Sequence, residues 1–184
     1  MEKSVFCIVP SEALALTIVN NLRLAGFCNT DVSVLFSDEM GTHDPTGHHG
    51  SLMEQGNGNG AEVHAVFGGA LGWLAGIEIL VLPDAGPHVA AGPIAPALRE
   101  HAGLSGAIVG ALTAMGLPEH QAARFAARVR DGNILLCVQS GDRGQRERAR
   151  EILKVGGGSE VYPTNESRTE LDAEHEREAR VETR

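Results

Sequence analysis

Two short apolar segments, SVFCIVP at residues 4–10 and NILLCVQ at residues 133–139, decide the fold of this chain. Both consist largely of aliphatic and β-branched side chains, which is typical of buried strands. Each is followed by a helical pattern and then by a second strand pattern. The chain therefore contains two strand–helix–strand halves, and we expect the two apolar segments to be adjacent at the centre of one sheet.

The first half has clear boundaries. Ser11 can cap a helix. Apolar side chains then recur every four residues, at Leu14, Ile18 and Leu22, and indicate one buried helical face. Gly26 stands where helices commonly end, and VSVLF at 32–36 predicts the second strand.

The second half repeats this order. Pro118 suits the first position of a helix, and Gly132 ends that helix before the strand at 133–139. A helix at 146–155 and a short strand at 160–162 complete the half. The order predicts an α+β fold: a ferredoxin-like, four-stranded antiparallel sheet with two helices on one face, built from residues 1–36 and 118–164.

The residues between the halves change in character twice. Residues 37–64 are rich in glycine and histidine and predict a flexible loop. Residues 65–117 are apolar and hold ten glycines and four prolines. Their two apolar stretches, joined by a Pro/Gly turn, predict an inserted helical hairpin. Residues 165–184 form a charged tail, either helical or disordered.

The glycines of the predicted hairpin recur every four residues. They fall into two sets, Gly68, Gly72 and Gly76, and Gly106 and Gly110, with Trp73 beside the first. At helical spacing each set forms a stripe without side chains, a glycine zipper that lets two helices approach closely. Since each glycine costs a helix about 1 kcal/mol relative to alanine, we expect these stripes to be helix–helix contacts, at least partly between chains.

So apolar a hairpin must be covered by its own sheet, by other copies of the chain or by lipid. The first stretch approaches the length of about 20 apolar residues that spans a membrane. Four polar side chains, Glu78, Arg99, Glu100 and His101, make lipid the less favourable cover, because ionised groups are costly there. They are candidates for polar contacts between subunits, and a homo-oligomer is the preferred interpretation. In such an oligomer Glu78 could meet Arg99 or His101 of the same or another chain.

Composition restricts the partners. The net charge of −9 argues against nucleic acid, which requires a concentrated basic surface. The cysteines, Cys7, Cys28 and Cys137, form no CxxC motif and predict no disulfide framework. We expect Cys7 and Cys137 to be core thiols on adjacent strands. The N-terminal residues carry no signal pattern, which predicts a cytoplasmic protein, with membrane association as the alternative.

Four histidines lie in or beside the predicted loop: His43, His48, His49 and His64. Imidazole groups suit zinc, iron or copper, so these residues are the candidate metal ligands. Their spacing matches no strong metal motif, and a solvated loop is the alternative. No arrangement of Ser, His, Asp or Cys indicates catalysis.

Several segments resemble the bacterial general-stress, or low-temperature-induced, protein family. The resemblance covers roughly residues 3–160 and is carried by GGALGWLAGI (Gly68–Ile77), AGPHVAAGPIAPAL (Ala85–Leu98), ALTAMGLPEHQAARF (Ala111–Phe125) and VRDGNILLCV (Val129–Val138). It implies a role in stress responses, and it supplies no catalytic residues to carry over.

The sequence thus predicts a non-enzymatic, stress-associated protein without a cofactor that self-assembles through its glycine-rich hairpin. A first alternative is a membrane-docking or scaffold subunit whose hairpins enclose an apolar chamber for a membrane-bound redox partner or a lipophilic cofactor such as a quinone. A metal-binding protein is the second alternative.

Overall fold

One antiparallel sheet of six strands organises the part of the chain that the computed structural model describes, residues 3–37 and 73–164. The strands lie in the order β3-β4-β2-β5-β1-β6. Their bounds are β1 Lys3–Val9, β2 Val32–Ser37, β3 Glu78–Leu82, β4 Gly86–Ala91, β5 Ile134–Ser140 and β6 Ser159–Pro163. The bounds of the helices are α1 Glu12–Leu24, α2 Ile94–His101, α3 Ala107–Ala114, α4 Glu119–Arg130 and α5 Arg143–Val155.

The two apolar segments at residues 4–10 and 133–139 are neighbours in the sheet, as predicted. β1 and β5 pair in antiparallel register from Lys3 opposite Ser140 to Val9 opposite Ile134. Side chains of a strand alternate between the two faces of its sheet. In β1, Cys7 accordingly belongs to one hydrophobic cluster, whereas Phe6 belongs to the other.

Helices cover both faces of the sheet, and each face has its own hydrophobic core. On the first face lie α1 and α5, which bury side chains such as Ile18 and Leu153. The second face carries α2, α3 and α4, with Leu98, Leu112 and Phe125 buried against the sheet. Because both faces are covered, the central strands are apolar at nearly every position.

Side-chain caps start the two helices of the first face. The hydroxyl of Ser11 accepts a hydrogen bond from the Leu14 amide at 3.4 Å, which confirms the predicted cap of α1. A carboxylate oxygen of Asp142 accepts from the Gln145 amide at 2.8 Å at the start of α5. These bonds satisfy amide groups that lack a partner within the first helical turn.

The predicted α+β class and the antiparallel sheet are confirmed, but the number of strands is wrong. The sheet gains β3 and β4, which come from the segment predicted as a helical hairpin. The β-branched residues Ile79 and Val81, each followed by a leucine, favour a strand at this point. Gly86 and Gly92 have positive φ angles of +78° and +79°, and they stand at the two ends of β4, where an α-helix cannot continue.

The prediction of one continuous second helix in the hairpin is also wrong. The segment is divided into α2 and α3 by a loop at residues 102–106, where Gly106 adopts a left-handed φ of +76°. Helix α2 packs on strands of its own chain, and α3 packs against α2 and α4 in the same hydrophobic core. For residues 94–114, the alternative that the segment covers its own sheet is therefore the one that the structure shows.

Candidate functional site

The candidate site is the outer end of the sheet, where β3 and the turn at residues 83–85 meet α2 and α3. Two polar contacts tie the hairpin of β3 and β4 to these helices. A carboxylate oxygen of Asp84 accepts a hydrogen bond from the Gly106 amide at 2.7 Å. Since Gly106 stands at the N-terminus of α3, the acidic group also interacts favourably with the helix dipole.

The second contact joins the start of β3 to α2. Arg99 forms an ion pair with Glu78, and its Nε donates to a carboxylate oxygen of Glu78 at 3.2 Å. The sequence left open whether Glu78 meets Arg99 of its own chain or of another chain, and the structure pairs the two residues within one chain. The Arg99 side chain is 60% exposed, so the pair contributes at most about 1 kcal/mol of stability.

His101 joins α2 to α3. Its Nδ1–H donates to the carbonyl oxygen of Ala97 at 2.8 Å. The imidazole ring covers Gly110, where an added Cβ would stand only 2.6 Å from the His101 Cδ2 atom. Gly110 therefore does make room for a close approach, but the group that approaches belongs to the same chain. Glu100, the neighbouring candidate, is exposed.

The predicted glycine stripes are not reproduced where the structure describes them. Gly76 has a left-handed φ of +63°, and Gly106 precedes α3 instead of lying within it. Left-handed residues interrupt a helix, so neither glycine extends a helical stripe. Gly68 and Gly72 lie outside the described residues. Trp73 is half-buried and packs against the core of the α1 and α5 face.

Two large apolar side chains are exposed at this end of the molecule, and sequence reasoning missed both. Val81 on β3 is 69% exposed, and Leu104 in the loop between α2 and α3 is 60% exposed. The Asp84–Gly106 bond fixes their two segments against each other. Val81 follows Ile79 on the face of α1 and α5, whereas Leu104 lies with α2 and α3 on the other face, so the two side chains flank the β3 end of the sheet. We call this pair, Val81 and Leu104, the edge patch. The sequence signal for the turn beside it was PDAG at residues 83–86, a typical turn composition.

The thiols of the two central strands are buried on opposite faces of the sheet. Cys7 stands opposite Leu136, and Cys137 stands opposite Phe6. Burial raises the pKa of the Cys7 thiol to about 12, with a backbone hydrogen bond from Leu136 opposing the shift. Burial likewise raises the pKa of Cys137. Both are core thiols on adjacent strands, as predicted, and their thiolates are strongly disfavoured.

Two cavities of about 370 Å³ lie away from the edge patch. One is polar and lies at the start of α5, lined by Thr30, Asp31, Gln139, Ser140, Gly141, Asp142 and Gln145. The Ser140 hydroxyl there donates to the Gln145 side chain at 2.9 Å, so the lining groups bind one another. The other is a groove between α1 and α5, lined by Asn21, Ala25, Arg148, Glu151, Ile152 and Val155.

The candidate metal ligands His43, His48, His49 and His64 all lie outside the described residues. Within residues 3–37 and 73–164, no three His, Cys, Asp or Glu side chains are grouped so that they could hold a metal ion. The same part of the chain has no helix that is long and apolar enough to cross a membrane.

No protein-family model, no curated protein and no solved structure matches this chain.

Proposed function

We propose that this chain is a non-enzymatic, stress-associated protein whose function depends on self-association. Its central part is a ferredoxin-like domain made of β1, β2, β5 and β6 with α1 and α5. The inner strand order β2-β5-β1-β6 and the helices that follow β1 and β5 support this assignment. Residues 78–114 then add two strands and, together with α4, cover the second face of the sheet.

The observation that carries the proposal is the edge patch. Val81 and Leu104 are two of the four large apolar side chains that are mostly exposed in the described residues. Both belong to the segment that the sequence singled out for assembly, and the Asp84–Gly106 bond holds them at one end of the molecule. Exposed apolar side chains on both sides of one end of a sheet favour association at that end, because their burial removes apolar surface from water.

The other two exposed side chains, Leu24 and Val155, provide a matched control. They lie on the helices of the first face and are 80% and 82% exposed. A double variant, Val81→Ser with Leu104→Ser, removes the edge patch. The control variant, Leu24→Ser with Val155→Ser, removes as many exposed apolar side chains elsewhere.

The test is the mass in solution, measured by sedimentation velocity over a range of protein concentrations. We expect the wild type to exceed the monomer mass of 19.4 kDa as the concentration rises. The edge-patch variant should remain a monomer, and the control variant should behave as the wild type. A wild type of monomer mass at every concentration, or equal loss of association in both variants, would overturn the proposal.

The same preparation tests the two alternatives. Co-sedimentation with phospholipid vesicles that depends on Val81 and Leu104 would favour the membrane-docking scaffold. Stoichiometric zinc, iron or copper in protein purified without an affinity tag would favour the metal-binding protein.

A further inference from the structure

The two outermost strands of the sheet differ in how they are protected. An edge strand presents unpaired backbone groups, and natural proteins block such edges with bulges, prolines or charges to prevent pairing with other chains. β6, at one end of the sheet, has such protection, whereas β3, at the other end of the described sheet, has little.

The β6 edge is irregular. Its pairing with β1 shifts register between Phe6 and Ile8, and Glu160 at this point has a left-handed φ of +53°. The Glu160 carboxylate is held by Arg124 and Arg128 of α4 at 2.9 Å each. The strand then ends at a proline. These features prevent a regular ladder of hydrogen bonds along the β6 edge and place charged groups beside it.

The β3 edge is regular and apolar. All five residues, EILVL, pair in unbroken register with β4, from Glu78 opposite Ala90 to Leu82 opposite Gly86. It contains no lysine, proline or bulge. Its one charged side chain, Glu78, accepts a hydrogen bond from Arg99 of α2. Val81, the most exposed residue of the strand, is part of the edge patch.

We infer that β3 pairs with β3 of a second copy of this chain, antiparallel and about a two-fold axis at Leu80; this inference rests on the self-association proposed above. In this register Ile79 stands opposite Val81 of the second copy, and Glu78 stands opposite Leu82. Residues directly opposite each other have Cβ atoms about 4.5–5.5 Å apart. The apolar side chains of one face therefore cover each other, and no like charges meet.

The unequal edges also set the size of the assembly. Pairing about the two-fold axis covers the regular β3 edge of both copies and leaves an irregular β6 at each outer end. Pairing then closes at a dimer and does not extend into a fibre. Five residues and the edge patch make a small contact compared with the roughly 800 Å² per partner of stable complexes, so the dimer should form in a concentration-dependent way.

Cross-linking tests the register. In a Cys28→Ser background, Leu80→Cys places one thiol on each side of the two-fold axis. The Cα atoms of the two substituted residues then lie within the range of about 4.4–6.8 Å that a disulfide requires. Tyr162→Cys is the matched control, because Tyr162 is also half-buried, on the opposite edge strand, and packs against the same core. With a mild oxidant, Leu80→Cys should give a covalent dimer, and Tyr162→Cys should remain monomeric.

Hydrogen exchange of the wild type gives an answer that does not depend on any variant. The backbone amides of Glu78–Leu82 should exchange more slowly as the protein concentration rises. An oligomer without cross-linking of Leu80→Cys and without this dependence would overturn the register and leave the proposed function standing. A monomer whose β3 amides are protected at every concentration would overturn both, since the edge would then be covered by its own chain.

Discussion

Gly92 offers the sharpest test of how the second helical layer is attached to the sheet. It stands between β4 and α2 with a left-handed φ of +79°. An added Cβ would collide with the carbonyl oxygen of Val32 in β2. Close by, the Ile94 amide at the start of α2 donates to the Ser33 hydroxyl at 3.1 Å. A side chain at Gly92 would therefore force α2 away from β2.

The magnitude for Gly92→Ala has two parts. A left-handed backbone costs a residue other than glycine about 1–2 kcal/mol, and the lower entropy of the unfolded chain returns about 0.4–1 kcal/mol. Moving α2 leaves the buried Ile94 amide without its acceptor, which costs about 1–3 kcal/mol. The expected loss in the free energy of unfolding is about 3 kcal/mol, measured by urea denaturation followed by circular dichroism.

Gly26→Ala is the matched control for this measurement. Gly26 has a similar φ of +88°, but an added Cβ would meet no atom within 4 Å. It should lose only the backbone part, about 1 kcal/mol. If the free energies of unfolding of the two variants fall by the same amount, within about 0.5 kcal/mol, the close approach of Gly92 to Val32 does not contribute to stability. That result would refute the reasoning about the attachment of α2.

Four further predictions concern the core, the thiols and the β6 edge. Ser33→Ala should lower the free energy of unfolding by about 1–3 kcal/mol, because the buried Ile94 amide loses its acceptor, and equal urea midpoints would contradict this. Iodoacetamide at pH 8 should modify only Cys28 in the folded protein, as mass spectrometry of peptides would report. The free energy of unfolding should fall between pH 9 and 12, because the pKa of the Cys7 thiol is the ordinary 9.0 in the unfolded chain and about 12 in the folded protein. An unchanged melting temperature across this range would count against the burial of Cys7. Glu160→Gln should destabilise the chain, since two arginines lose their shared carboxylate, and hydrogen exchange should rise first in β6.

The outcome for residues 78–114 shows where sequence reasoning fails. Glycine spacing indicated helical stripes, because a pattern at every fourth residue fits an α-helix. The pattern does not reveal backbone conformation, and Gly76 and Gly106 are left-handed residues at turns. The edge patch could not be found either, because Val81 and Leu104 resemble core residues until the sheet and helices leave them uncovered.

The sequence by itself determined the elements that local signals define. Alternation and apolar runs located β1, β2, β5 and β6, and Ser11 marked the start of α1 through a contact between near neighbours in the chain. Tertiary structure decided the rest: that Glu78 pairs with Arg99, that Gly110 accommodates His101, and that one edge of the sheet is regular while the other is not. The physical reason is that caps and periodicity depend on residues a few positions apart, whereas burial, edge position and close approach depend on segments that only folding brings together.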